Sequence, residues 1–193
     1  MIDGPLMEEL VIRGQRKMSQ EDARVLEKTV HEVDPQLIVE IGSCEGVSSL
    51  VFGHALRELG HGGHLICIEP KPRGRWHQNM DETNLRQTVS LVQASSPWVD
   101  IGILPGPIDY LLIDGNHKTR WCMSDFHFWS PSVRPGGMIA FHDTLSGGNA
   151  NQVNRAIDII METDSEKLTE IDRSTKGPGV TVFRWMQVET EDT

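Results

Sequence analysis

IVEIGSCEGVSSL, residues 38–50, sets a short apolar run carrying Glu40 against two glycines, Gly42 and Gly46, four positions apart. Leu37 to Ile41 is β-branched and follows Pro35, so it reads as a fully buried strand. From Val47 to Leu59 the pattern is helical, with Gly60 as its stop. Glycines at such a strand-to-helix turn let the backbone bend tightly and approach a ligand, beside the unpaired N–H groups of the helix N-terminus. The reading places a ligand at the carboxyl end of this strand. Taken alone, G-x-x-x-G is also a helix-packing spacing. Glu69, which ends the next strand 23 residues after Gly46, adds to it. An acid there can accept both hydroxyls of a ribose, which points to a nucleoside-containing cofactor. Dinucleotide folds use G-x-G-x-x-G, and here Glu45 would face the pyrophosphate. A cofactor without that diphosphate fits better.

Outward from this stretch, strands and helices alternate. Ser19 caps a helix whose Ala23, Leu26, Val30 and Val33 recur at helical spacing, with Asp22 as its capping-box partner. HLICIE (64–69), TVSLVQA (88–94), IDYLLID (108–114) and GMIAFHD (137–143) read as further strands. Residues 120–130 are helical up to Pro131, and Val153, Ala156, Ile157 and Ile160 mark one face of another helix. KLTEID and VTVFRWM, joined by the turn STKGPG, close the chain as an antiparallel pair. Strands alternating with helices predict an α/β fold, a mostly parallel sheet covered on both faces. A chain of 193 residues without repeat or linker reads as a single domain over 1–193, with a helical N-terminal segment to residue 35 and a core over 36–186.

Composition bounds the function. With 38% hydrophobic and 24% charged residues the chain is globular, and no apolar run approaches the about 20 residues of a membrane helix. The N-terminus lacks the features of a secretory signal, so the expected location is cytoplasmic, with no membrane partner. Cys44, Cys67 and Cys122 form no C-x-x-C pair and read as free, buried thiols. A net charge of −10 argues against nucleic acid as a partner. The compact basic cluster Lys71, Arg73, Arg75 and His77 reads as a solvated loop or as a contact for an anionic substrate.

VEIGSCEGVSSL, ICIEP, IDYLLIDGNH and WSPSVRPGGMIAFHDT, in that order, resemble the class I S-adenosylmethionine-dependent methyltransferases. More narrowly they resemble the small metal-assisted O-methyltransferases of the cephalosporin-hydroxylase-like family. The resemblance covers about residues 25–185 and is most specific over 108–144. It implies a Rossmann-like, doubly wound seven-stranded sheet of order 3-2-1-4-5-7-6 with strand 7 antiparallel. It also implies S-adenosylmethionine as cofactor. Glu40, Gly42, Ser43 and Gly46 would shape the methionine end of its pocket and Glu69 would hold the ribose. Ser95 and Ser96 would lie by the adenine, with Trp98 either stacked there or anchored in the core.

Methyl transfer from a sulfonium needs the acceptor held in line and made nucleophilic. Asp114-Gly115-Asn116-His117 and His142-Asp143-Thr144 end two adjacent parallel strands. Asp114 and Asp143 can therefore share a divalent ion, with His142 as a third ligand, and the ion would acidify an acceptor hydroxyl. The resembled family carries magnesium there, commonly with a carboxylate or amide in place of His142. The imidazole shifts the expectation toward manganese or another transition metal. His117 is the candidate general base, with Asp114 beside it. Thr119 and Arg120 stand where the family usually has Tyr-Glu, so the substrate can differ. Without metal, Asp143 would cap or turn the chain and His142 would be a hydrogen-bonded imidazole.

The expected activity is O-methylation of a small hydroxylated molecule such as a sugar, a phenol or a secondary metabolite. Homo-oligomerisation would allow a partner subunit to contribute to the acceptor pocket. The alternative is a non-catalytic module that keeps the cofactor pocket, to be told apart by whether Asp114, His117 and Asp143 converge on open space. An amino-group methyltransferase acting on bases would carry an Asn/Asp-Pro-Pro-aromatic run where DGNH stands.

Overall fold

Along the central strands, successive side chains pass alternately into two hydrophobic layers, which is why LIVEI and IDYLLI show no polar face. The computed structural model describes residues 4–13, 18–145 and 147–186. Its strands are β1 (Leu37–Ile41), β2 (His64–Ile68), β3 (Val89–Val92), β4 (Ile108–Ile113), β5 (Val133–His142), β6 (Leu168–Arg173) and β7 (Val180–Trp185). They form one seven-stranded sheet of order β3-β2-β1-β4-β5-β7-β6. Pairing is parallel from β3 to β5, and β7 inserts antiparallel between β5 and β6.

Helices α1 (Gly4–Arg13), α2 (Gln20–Val33), α3 (Val47–Leu59) and α4 (Gly74–Glu82) cover one face. They pack on Ile38, Leu65, Tyr110, Leu112, Met138 and Val182. Helices α5 (Thr119–Trp129) and α6 (Ala150–Asp164) cover the other. Phe126, Trp129, Val153, Ala156 and Ile160 there meet Val39, Leu111, Ile139 and Phe141. The register Ile41↔Ile113 between β1 and β4, with β4 next to β5, brings three carboxyl-terminal strand ends side by side. This is where the strand order reverses, the place at which open α/β sheets take ligands.

The capping box at Ser19 is present: Asp22 N donates to Ser19 Oγ at 3.0 Å, and Ser19 N to Asp22 Oδ2 at 2.9 Å. Asp34, left-handed at φ 50, ends α2 just before Pro35. One element departs from the sequence reading. The basic stretch is only partly loop, because α4 starts at Gly74 and buries Trp76, Asn79 and Met80 at helical spacing. Lys71, Arg73, Arg75 and His77 remain exposed around it. Gly4–Arg13 forms its own helix, buried through Met7, Leu10 and Val11. Cys67 and Cys122 are buried as expected, whereas Cys44 is half-buried. Among the described residues no helix is long and apolar enough to cross a membrane.

Candidate active site

Gly42 and Gly46 are both left-handed, at φ 85 and φ 86, with Cys44 between them at φ 46. A Cβ on Gly42 would lie 2.4 Å from the Asp114 carbonyl oxygen, and one on Gly46 would lie 2.9 Å from Trp76 Cδ1. The glycines are therefore demanded by the end of β4 and by α4, which press on the loop from its protein side. Between them Ser43, Cys44 and Glu45 line a small recess together with Ser48, Asp114 and His142. Ser43 Oγ is buried there without a hydrogen-bond partner. Such an orphan is uncommon in a folded protein and marks a place for a polar ligand group.

Glu69 faces the same loop. Its Oε2 accepts from Cys44 N at 3.2 Å and its Oε1 from Lys71 N at 2.9 Å. The half-buried carboxylate thus stands at the end of β2 beside the loop. Glu40 lies beneath the loop and is fully buried. Its carboxylate accepts from Ser48 Oγ, from Ser49 Oγ at 2.5 Å and from Cys67 Sγ at 3.0 Å. Burial raises its pKa to about 7 against the lowering effect of these donors. Ser48 and Ser49 were not singled out by the sequence reading, and Cys67 was read only as a buried thiol. Only their three-dimensional position, one helical turn and one strand away from Glu40, reveals them.

The ends of β4 and β5 carry the second half of the site. His117 Nε2 lies 2.9 Å from Asp143 Oδ2 and 3.3 Å from Asp114 Oδ1. His142 Nδ1 lies 3.2 Å from the same Asp114 oxygen and 4.0 Å from Asp143 Oδ1. Asp143 is left-handed at φ 59, a conformation that Asp tolerates better than most residues. Hydrogen bonds to Asp114 and Asp143 push the His117 pKa up to about 10. Burial lowers that of His142, but the Asp114 and Asp143 carboxylates outweigh it and carry it to about 9. Burial pushes the carboxyls of Asp114 and Asp143 up, but the two imidazoles outweigh it, and both are lowered. The cluster is thus internally charge-compensated. Ligand atoms of Asp114, His117 and Asp143 lie within 4.8 Å of one another, close enough to share one cation.

Backbone pairing joins the two halves. Asp114 N donates to Ile41 O at 2.8 Å, and the recess is lined by Ser43 from the loop and by Asp114 and His142 from the strand ends. The remaining predicted residues sit apart from it. Ser95 is exposed after β3, and Ser96 is buried, its Oγ taken by Trp129 Nε1 at 2.8 Å. Trp98 is 84% exposed and so is not a core anchor. Asp22, read in the sequence only as a cap, lies 3.9 Å from His142 Nε2. A larger cavity of about 400 Å³ lies between α1, the start of α2 and the β6–β7 turn, and Met18 lines both it and the recess.

The strand order, with its left-handed loop at the switch point and a polar cluster on the neighbouring strand ends, defines a class: the Rossmann-like methyltransferase fold. The profile of the family described as a methyltransferase domain matches residues 39–144, more than half of the chain, and the chain belongs to that family. Two solved structures are similar throughout. An O-methyltransferase from Bacillus cereus in complex with SAH has a TM-score of 0.74 at 18% identity, over 96% of this chain and 92% of the other. The O-methyltransferase TomG from Streptomyces achromogenes, involved in tomaymycin synthesis and crystallised with SAM, has a TM-score of 0.72 at 16% identity, over 97% and 92%. An uncharacterized protein of Acanthamoeba polyphaga mimivirus is 29% identical over 142 residues, 67% of this chain. The chain spans 61% of the length of that relative.

Proposed function

We propose that the protein binds S-adenosylmethionine in the β1–α3 loop and transfers its methyl group to a hydroxyl of a small molecule, assisted by a divalent ion. The observation that carries this reading is the convergence of Asp114, His117, His142 and Asp143 beside the recess of the glycine loop. The orphaned Ser43 Oγ suits the polar methionine end of the cofactor, and Glu69 suits the ribose hydroxyls. Glu40 supports the loop from below. Ser95, Ser96 and the exposed Trp98 are the candidates at the adenine side. The complexes of the similar O-methyltransferases with SAM or SAH agree with this assignment.

A set of two carboxylates and one imidazole, Asp114, Asp143 and His142, fits manganese or another transition metal better than magnesium, which favours oxygen ligands alone. Asp114, Asp143 and His142 would hold the ion, which when bound supplies Lewis acidity for an acceptor hydroxyl. His117 bridges the two carboxylates as an imidazolium; once the carboxylates turn to the ion, its Nε2 proton would pass to solvent, and the neutral imidazole would then take the hydroxyl proton. The acceptor oxygen then forms a bond to the methyl carbon as the carbon–sulfur bond breaks, its electron pair passing to sulfur. Asp114, His117 and Asp143 keep 19%, 30% and 16% of their side-chain surface exposed, so an acceptor can reach them. This accessibility favours catalysis over a purely cofactor-binding role. The cavity bounded by Val11, Met18, Ser19 and Pro178 offers room for a small acceptor beside the N-terminal helices.

The test is methyl transfer from labelled S-adenosylmethionine to a panel of catechols, sugars and matched amines, with and without manganese after chelation. Label on the hydroxyl compounds alone, lost on chelation and restored by the ion, is the expected result. Full transfer in chelator would remove the metal from the reading, and label on amines alone would remove O-methylation.

A further inference from the structure

His142 is 4% exposed, and its Nε2 is buried with no hydrogen-bond partner. On the opposite side of the ring, Nδ1 meets Asp114 Oδ1 at 3.2 Å. The nearest counter-group to the orphaned nitrogen is Asp22 Oδ2, at 3.9 Å. Asp22 is itself fully buried, in the first turn of α2. Its carboxylate is held from several directions. Ser174 Oγ donates to Oδ1 at 2.5 Å, and Ser19 N and Ser19 Oγ donate to Oδ2 at 2.9 and 2.7 Å. Ser174 Oγ in turn accepts from Val180 N at 2.8 Å, on the strand residue that pairs with His142.

A helix cap does not require this. Capping boxes serve at helix ends near solvent, and the capping function of Asp22 uses only the Ser19 backbone N–H. Burying a carboxylate completely is costly and needs compensation from nearby donors or positive charge. An imidazole that binds a metal through one nitrogen characteristically directs its other N–H at a carboxylate, which fixes ring orientation and the nitrogen presented to the ion.

We propose that Asp22 is a positioning residue for the strand-end metal site: it faces the Nε2–H of His142, so that Nδ1 is the nitrogen directed at the ion shared with Asp114 and Asp143. The inference rests on the metal reading given under Proposed function. It ties helix α2 and the β6–β7 turn, through Ser19 and Ser174, to the chemistry at the end of β5.

The experiment is calorimetric titration of the full-length protein with Mn²⁺. Asp22→Asn, which retains an oxygen for the Ser19 N–H, is expected to weaken binding at least about tenfold. In a His142→Asn background, Asp22→Asn is expected to have no further effect, because its influence passes through the ring. Equal affinities of D22N and the parent would overturn the proposal, as would weakening by D22N that persists in the His142→Asn background. Should D22N fail to fold, Ser174→Ala, which frees Oδ1, provides the reading: several-fold weaker binding supports the proposal and unchanged binding overturns it. If the parent protein itself binds no manganese, the metal reading and this inference fail together. Binding by the parent with an insensitive D22N leaves the metal reading intact and overturns the role of Asp22 alone.

Discussion

Glu40 shows how a residue inside the sheet can make stability depend on pH. Its folded-state pKa of about 7 stands above the ordinary value of 4.5, so between those values the folded protein holds a proton that the unfolded chain has released. The corresponding stability is complete below pH 4.5 and is lost as pH rises through 7. The difference is on the order of 3 kcal/mol. Glu40→Gln cannot ionise, so its urea midpoint is expected to change less between pH 5 and pH 8 than that of the parent. Parallel profiles for the two proteins would show that Glu40 is not the group responsible. Gly42 illustrates steric rather than electrostatic constraint. Gly42→Ala would combine positive φ with a Cβ 2.4 Å from the Asp114 carbonyl, and is expected to cost at least about 2 kcal/mol in chemical denaturation.

Among the elements, α4 is the informative one. Trp76 is completely buried under the glycine loop, and Trp76→Ala is expected to cost about 3–5 kcal/mol and to loosen the loop that Gly46 brings against it. A drop in thermal midpoint too small for a buried tryptophan would contradict that packing. The helix was not legible in the sequence because it is short, opens at Arg73 with no side-chain cap and is mostly polar. Its three buried residues, Trp76, Asn79 and Met80, are too few to stand out from a turn. The strands were legible for the opposite reason. Runs such as LIVEI and IDYLLI are buried on both faces, so apolar character alone marks them. Likewise Ser19 and Asp22 announced the start of α2, since a capping box is local chemistry. What Asp22 faces across 120 residues of chain, His142, is tertiary and leaves no trace at that spacing. The DGNH and HD motifs disclosed which residues end β4 and β5, but not that His117 would bridge Asp114 and Asp143.

For the whole molecule, a net charge of −10, with the Glu69 carboxylate beside the loop, favours a ligand that carries positive charge, as a sulfonium with its ammonium group does. Glu69 joins this electrostatic preference to shape, since its carboxylate stands at the end of β2 beside the loop. Glu69→Ala is expected to weaken cofactor binding by about tenfold or more with the fold intact by circular dichroism, as loss of a charged hydrogen-bonding group would. Unchanged affinity would remove the ribose assignment. The central claim is that the β1–α3 loop and the strand ends of β4 and β5 form one cofactor and metal site. Calorimetric titration with S-adenosylmethionine, with and without manganese, tests it most directly. Saturable binding whose affinity changes with the ion is the predicted result, and absence of any binding heat under both conditions across several temperatures would contradict it.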